Sequence, residues 1–115
     1  MNEVAVRVKS LLQPYAKKCV VKSESKTGIY LDCKSEWNGK PLFFAATRPG
    51  KAYISVHLFP VYMFPDLLID ISPALDARRQ GKACFNFKKI DEPVLAELAK
   101  LIKRGWERYR KEGLV

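Results

Sequence analysis

The segment Lys82–Val115, KACFNFKKIDEPVLAELAKLIKRGWERYRKEGLV, decides the expected fold because it joins a short strand to one long amphipathic helix. Its apolar residues recur every three or four positions, which places them on one face of a helix. They are Leu95, Leu98, Ile102, Trp106 and Tyr109. Asp91 or Glu92 can cap the start, and Gly113 can end the helix. An apolar stripe of this length must be buried, so we expect the helix to pack on the strands upstream.

Strand-like runs separated by turn signals make up most of the preceding chain. The predicted strands are Cys19–Glu24, Ile29–Lys34, Leu42–Thr47 and Ala52–Phe59, followed by Ala83–Lys88. The dipeptide Asn38-Gly39 is typical of a hairpin, and Pro49-Gly50 is typical of a tight turn. Because short connections join consecutive strands, the sheet should be antiparallel.

Two further segments are expected to be helical. Residues 2–17 show both helical and alternating spacing, but Asn2 as a cap and Glu3 in the first turn favour a helix that Pro14 should kink or end. Residues 65–80, PDLLIDISPALDARRQ, should form one or two short helices capped by Asp66 and Ser72. The predicted fold is therefore α+β: an antiparallel sheet of about five strands with an N-terminal helix, a short middle helical segment and the long C-terminal helix packed on one face.

Composition and charge narrow the class of protein. A chain of 115 residues fits one domain, and its net charge of +9 is spread along the chain rather than gathered in a tail. The three cysteines, Cys19, Cys33 and Cys84, include no C-x-x-C pair, which favours reduced thiols in the cytoplasm. No signal-peptide pattern and no apolar run of about 18 residues is present, so we expect a cytoplasmic protein without a membrane segment.

The segments GKPLFFAATRPGKAYISVHLFP (39–60) and GKACFNFKKIDEPVLAELAKLIKRG (81–105) resemble the YdhG-like domains of unknown function. The positions that carry the resemblance, which covers roughly residues 39–107, are Gly81, Lys82, Phe87, Asp91, Glu92 and Pro93. The family's tyrosine-glycine-methionine-proline motif has no counterpart here. The resemblance implies one YdhG-like α+β domain over residues 1–115 and little chemistry.

Some members of that family are described as frataxin-like iron chaperones, which would require clustered surface carboxylates. Iron without thiolate or imidazole ligands prefers such oxygen ligands, whereas the first helix here offers only Glu3 and the chain is basic. The sequence therefore disfavours iron binding. No metal, cofactor or catalytic motif is recognisable, so none is predicted.

His57 is the only histidine, predicted with Tyr53 on the strand face opposite Ile54, Val56 and Leu58. It could act as a general base or as half of a dyad with Cys84, although the sequence cannot place these two residues together. A half-buried sheet histidine hydrogen-bonded to a neighbour is the more ordinary interpretation. An enzyme is therefore the least favoured of the classes, and the assignment leans against one.

The apolar run Leu58–Phe64, predicted to be a loop, could line a ligand pocket, form a homodimer contact or simply be core. The candidate ligand-binding residues are Tyr53, His57, Phe59, Tyr62 and Phe64. We expect a small-ligand or protein-partner binding domain that uses this loop and an aromatic face of the sheet.

The exposed side of the C-terminal helix is basic, which leaves a second hypothesis open. Its candidate polyanion-binding residues are Lys100, Lys103, Arg104, Arg108, Arg110 and Lys111. As a functional patch they would bind nucleic acid or another polyanion, weakly and in a salt-dependent way. A solvated face whose cations complement the negative end of the helix is the ordinary alternative.

Overall fold

A six-stranded sheet with strand order β1-β2-β3-β4-β6-β5 organises the computed structural model, which describes residues 1–115. The strands are β1 Val20–Glu24, β2 Ile29–Trp37, β3 Lys40–Pro49, β4 Ile54–Leu58, β5 Arg79–Gln80 and β6 Cys84–Phe87. All neighbouring pairs are antiparallel. The first four strands lie side by side in chain order and form an antiparallel meander, whereas β6 lies beside β4 and β5 lies outside β6.

Helices precede, interrupt and follow these strands. They are α1 Asn2–Lys9, α2 Phe59–Met63, α3 Pro73–Asp76 and α4 Glu92–Lys111, with 3-10 helices at Gln13–Lys18 and Pro65–Leu68. The α+β prediction, including the N-terminal helix and the long C-terminal helix, is confirmed, and the sheet has one strand more than the expected five.

The helix α4 begins and ends where its sequence predicts. The Asp91 carboxylate accepts a hydrogen bond from the Val94 amide at its start. At its end Gly113 adopts a φ of +75°, and the Leu114 amide donates to the Tyr109 carbonyl, as in a Schellman cap. All five residues of the predicted stripe are buried in the core that α4 and α1 share with the sheet.

Two local predictions were wrong at their boundaries. The first helix ends at Lys9, and a separate 3-10 helix begins at Gln13 with Pro14 as its second residue. Proline has no amide hydrogen to donate within an α-helix. Arg79 and Gln80, expected in a helix, form β5 because they pair with Phe85 and Cys84 of β6. Long-range pairing overrides local propensity there.

The 58–64 segment is a short helix rather than a loop. Pro60 lies in the first turn of α2, and the Phe64 amide donates to the Pro60 carbonyl at 2.8 Å. Phe59 therefore belongs to α2 instead of the preceding strand. Tyr53 also lies outside that strand, because its carbonyl accepts a 2.8 Å hydrogen bond from the Gly50 amide and closes the turn before β4.

An irregularity in β3 changes which side chains face the core. Leu31 pairs with Ala45, but the next residue of β2, Asp32, pairs with Phe43, so Phe44 is an extra residue in β3. Such a β-bulge interrupts the alternation of side chains. Phe44 and Ala45 are consecutive yet both fully buried.

None of the helices combines the length and apolarity that a bilayer crossing requires.

Candidate ligand-binding site

The two faces of the sheet differ in their exposure. The row Tyr30, Ala46, His57 and Cys84 crosses β2, β3, β4 and β6, and every member is partly exposed. The neighbouring row, whose members are all buried, is Ile29, Thr47, Val56 and Phe85. We call the side of the sheet that carries the first row the open face.

Five rings form a continuous group on the open face, which we call the aromatic row: Tyr30, Phe43, His57, Phe59 and Tyr62. Tyr30 stacks on Phe43 with centroids 4.7 Å apart, and the His57 ring meets Phe43 edge-on at 5.1 Å. Phe43 also contacts Phe59 at 5.8 Å, and Phe59 stacks on Tyr62 at 5.4 Å. The row therefore links the sheet to α2.

Lysine amino groups lie over the outer rings of the aromatic row. The Lys22 amino group lies 5.1 Å from the Tyr30 ring centroid, and the Lys82 amino group lies 5.6 Å from that of Tyr62. These are cation–π contacts at solvent-exposed positions. The row is thus bounded by flexible cations rather than covered by a helix.

A cavity of about 540 Å³ opens at the Tyr30 end of the row. Tyr30, Phe43 and His57 contribute rings to its lining, and Arg48, Ser55 and Cys84 contribute polar groups. Its volume lies in the range of roughly 300–1,000 Å³ that small-molecule sites occupy. Its lining combines aromatic and aliphatic side chains with polar ones, among them Arg48, Glu24 and three serines. Ligand sites use apolar contacts for affinity and polar groups to fix the orientation of the ligand.

The positions of the cavity residues follow from the packing of the strands beneath them. The bulge at Phe44 leaves Phe43 on the open face, and the buried Tyr109 hydroxyl donates to the Phe43 carbonyl at 2.8 Å. Gly28 lines the cavity where β2 meets β3, and a Cβ there would lie 2.8 Å from the Thr47 carbonyl oxygen. The close approach of these backbones therefore requires glycine.

The charges around the cavity are unbalanced. Burial, with the positive charge of Arg48 as a smaller cause, lowers the pKa of His57, so the imidazole is neutral at pH 7. Arg48 is exposed and makes no ion pair. Glu24 is the only acidic lining residue, and Lys9 pairs with it at 2.8 Å.

Cys84 and His57, which the sequence could not place, lie directly opposite each other on β6 and β4. Burial raises the pKa of the Cys84 thiol, which keeps it protonated, and no hydrogen bond joins it to His57. A nucleophilic cysteine needs the opposite shift. Cys33 lies on β2, and two strands, β3 and β4, separate it from Cys84 on β6. All three cysteines are free thiols.

The structure brings together three of the predicted ligand-binding residues: His57, Phe59 and Tyr62 all belong to the aromatic row. Phe64 lies elsewhere, because its ring contacts Tyr109 at 6.5 Å and the Arg108 guanidinium at 4.4 Å. Tyr53 is half-buried in the turn before β4 and pairs with no other ring.

Sequence reasoning did not select Tyr30, Phe43 or Arg48. Tyr30 carried a signal, since it falls on the polar side of its alternating strand. Phe43 carried none, because only the bulge in β3 separates it from Phe44 and places it on the open face. Arg48 lies opposite Ser55, a pairing that depends on the register of two strands.

The six basic residues of α4 differ in their surroundings. Arg108 is held by Asp66 at 2.7 Å and by Glu112 at 2.8 Å, so its charge is compensated. Asp66, expected to be a helix cap, serves as this ion-pair partner instead. Lys100, Lys103, Arg104 and Lys111 are exposed.

Arg110 faces a second cleft, of about 630 Å³, on another part of the surface. Lys18 and Lys34 also line this cleft, and none of its three cations has a carboxylate partner. The Lys18 amino group lies 5.8 Å from the ring centroid of Trp106.

No group of three or more histidine, cysteine, aspartate or glutamate side chains is arranged to hold a metal ion. Comparison with models of protein families, with curated proteins and with solved structures gave no match. The YdhG-like resemblance therefore stays a prediction, and the function must be argued from the site itself.

Proposed function

We propose that this protein is a non-enzymatic binding protein that takes up a small ligand in the cavity of the open face. The observation that carries the proposal is the cavity of about 540 Å³ lined by partly exposed rings of the aromatic row. Aromatic surface exposed to water gains free energy when a ligand covers it, at roughly 25 cal/mol per Å². On the other face of the sheet the rings of Phe44, Phe85 and Phe87 are already fully buried by folding.

The chemistry of the cavity favours binding over catalysis. A thiol with a raised pKa is a poor nucleophile, and His57 lacks a hydrogen-bonded acidic partner that would orient it as a base. Both groups are nonetheless suited to line a site, since neither carries a charge, whose desolvation would cost far more. The alternative of a His57-dependent enzyme finds no support in this arrangement.

A cavity-blocking variant tests the proposal directly. Ala46 lies on the open face between Tyr30 and His57 and lines the cavity, so Ala46→Phe should fill it without removing any ring. The probe is N-phenyl-1-naphthylamine, a neutral aromatic compound whose fluorescence rises on binding. We expect saturable binding by the natural protein and at least a tenfold weaker binding by Ala46→Phe.

The control is Ala96→Phe, because Ala96 is exposed on α4 and distant in sequence from every cavity residue. It adds the same ring to the surface and should leave binding unchanged. Circular dichroism would verify that both variants keep the fold. Absence of probe binding to the natural protein, or equal binding by Ala46→Phe, would refute the proposal.

Polyanion binding is a second candidate, favoured by the three unpaired cations of the second cleft. Lys34→Gln combined with Arg110→Gln should weaken the retention of a single-stranded oligonucleotide at low salt. Lys100→Gln with Lys103→Gln removes the same charge from the exposed side of α4 and serves as the control. Equal losses in the two double variants would indicate nonspecific attraction to a basic protein and count against the cleft.

A further inference from the structure

Arg48 is the only cationic side chain among the residues that line the open-face cavity, because His57 is neutral at pH 7. Its guanidinium makes no hydrogen bond to any side chain and no ion pair. Arginine presents five donors in a planar fork that matches a carboxylate, sulfonate or phosphate group. An exposed arginine without an ion-pair partner at the edge of the cavity is free to pair with an anion.

The single acidic residue of the cavity does not compete for Arg48. Glu24 is bound by the Lys9 amino group at 2.8 Å, and this hydrogen bond lowers the pKa of Glu24. Lys9 also donates to the Ser25 carbonyl at 2.6 Å, which holds the β1–β2 turn beside the cavity. Lys9, which does not line the cavity, therefore compensates the charge of Glu24. No unpaired carboxylate remains in the cavity to bind a cationic ligand.

The remaining polar groups lie next to Arg48 on the open face. Arg48 lies opposite Ser55, and His57 is the next residue of β4 on the same face, so the three side chains are direct or diagonal neighbours. The Ser55 hydroxyl donates to the Asn86 side-chain oxygen at 2.9 Å. An anionic group bound at Arg48 would therefore lie beside a ring, that of His57, which begins the aromatic lining.

We propose that the ligand is a small organic anion with an aromatic ring, whose ring packs against Tyr30, Phe43 and His57 while its carboxylate, sulfonate or phosphate group pairs with Arg48. This inference rests on the proposed function, since it names the chemistry of a ligand in the same cavity. The volume of about 540 Å³ is sufficient for a compound of up to three rings. The net charge of +9 adds a long-range attraction for anions in general.

A matched pair of probes separates ring recognition from anion recognition. N-phenyl-1-naphthylamine and 8-anilinonaphthalene-1-sulfonate share one aromatic framework, and only the second carries a negative charge. We expect the natural protein to bind the sulfonate about tenfold more tightly, the ratio expected for one charge-assisted pair. In Arg48→Gln the sulfonate should lose about tenfold in affinity, and the neutral probe should be unaffected.

Lys51→Gln is the control for charge, because Lys51 is an exposed cation in the turn after β3 that does not line the cavity. It lowers the net charge equally and should leave the sulfonate affinity within about twofold, since screening weakens such distant charges. A one-to-one stoichiometry and unchanged unfolding midpoints would show that the sulfonate reports on the folded state of each variant.

The two proposals fail in different ways. If Ala46→Phe blocks both probes but Arg48→Gln leaves the sulfonate affinity unchanged, the ligand class is wrong and the cavity remains a binding site. If Arg48→Gln and Lys51→Gln weaken sulfonate binding equally, the attraction is general and the Arg48 pairing is again refuted. If neither probe binds the natural protein, the proposed function itself fails.

Discussion

Both faces of the sheet carry aromatic residues, but these residues are buried on one face and partly exposed on the other. On the buried face Phe44, Phe85 and Phe87 are fully buried, and Phe44 contacts Trp106 of α4 with ring centroids 5.1 Å apart. On the open face Tyr30 and Phe43 stack on each other and remain partly exposed. The difference lies in what covers the rings, because α4 supplies an apolar stripe to one face only.

The comparison shows how aromatic residues can serve stability or binding in a single small domain. The buried rings gain their free energy on folding, when water is removed from them. The rings on the open face remain partly exposed to water, so further free energy is gained when a ligand covers them. The backbone between the faces is shared: Tyr109, buried under the sheet, donates its hydrogen bond to the carbonyl of Phe43 on the open face.

Truncation of a buried residue should have the largest effect. Leu98 is fully buried in the stripe of α4, so Leu98→Ala should lower the free energy of unfolding by about 2–5 kcal/mol. Tyr62→Ala on the open face should cost less than about 1 kcal/mol, since Tyr62 is 52% exposed. Urea unfolding measures both. A comparable loss in the two variants would abolish the distinction between the faces.

Removal of the hydrogen bond from Tyr109 to Phe43, which links the two faces, should have an intermediate effect on stability. Tyr109→Phe removes the hydroxyl that donates to the Phe43 carbonyl, and it should cost about 1–3 kcal/mol because that acceptor loses its partner. We also expect weaker binding of N-phenyl-1-naphthylamine, measured under conditions where the variant is fully folded. Unchanged probe affinity would mean that α4 does not help to position Phe43.

Substitution of Thr47 on the buried face should raise the stability instead of lowering it. The Thr47 hydroxyl is buried without a hydrogen-bond partner, and Thr47 pairs with Ile29 and Val56 of the buried rows. Thr47→Val should raise the free energy of unfolding by about 1 kcal/mol, since it removes an unsatisfied group at nearly constant volume. Thermal unfolding checks the direction, and a destabilised variant would show that the hydroxyl is satisfied in solution.

Protonation of His57 on the open face should have the smallest effect on stability. The pKa of His57 is lower in the folded chain than its ordinary 6.5, so the unfolded chain binds the proton more tightly. The stabilising contribution is present above about pH 6.5 and is lost as the pH falls through the folded pKa.

The change should be small, because His57 is only half-buried and water screens its charge. Unfolding by urea at pH 7.5 and 5.5 should therefore show a smaller loss of stability in His57→Gln than in the natural protein. A larger loss in His57→Gln would reverse the assigned shift, since the other titrating groups are common to both proteins.

Much of the fold could be predicted because its signals are local. The stripe of α4, its Asp91 cap and its Gly113 end all lie within one segment, and Asn38-Gly39 marks the β2–β3 hairpin. The alternation Ile54, Val56 and Leu58 correctly separated the two faces of β4. In each case the periodicity of a helix or strand is written in consecutive residues.

The candidate site was predicted only in part. His57, Phe59 and Tyr62 were selected as aromatic or titratable residues near one segment, and the structure brings them together. Phe64 was selected on the same grounds but packs against Tyr109, since α2 directs successive residues to different sides. A helix of five residues is too short to show a recognisable amphipathic pattern in the sequence.

By itself, the sequence determined the α+β class, the long helix and the residues of its buried stripe, because hydrophobic spacing and capping act between near neighbours. Only the tertiary structure decided that Cys84 lies beside His57, that Arg48 lies opposite Ser55, and that a bulge turns Phe43 to the open face. These features depend on the register between strands, which is set by how the whole core packs. The cavity and its single unpaired cation are therefore products of long-range pairing.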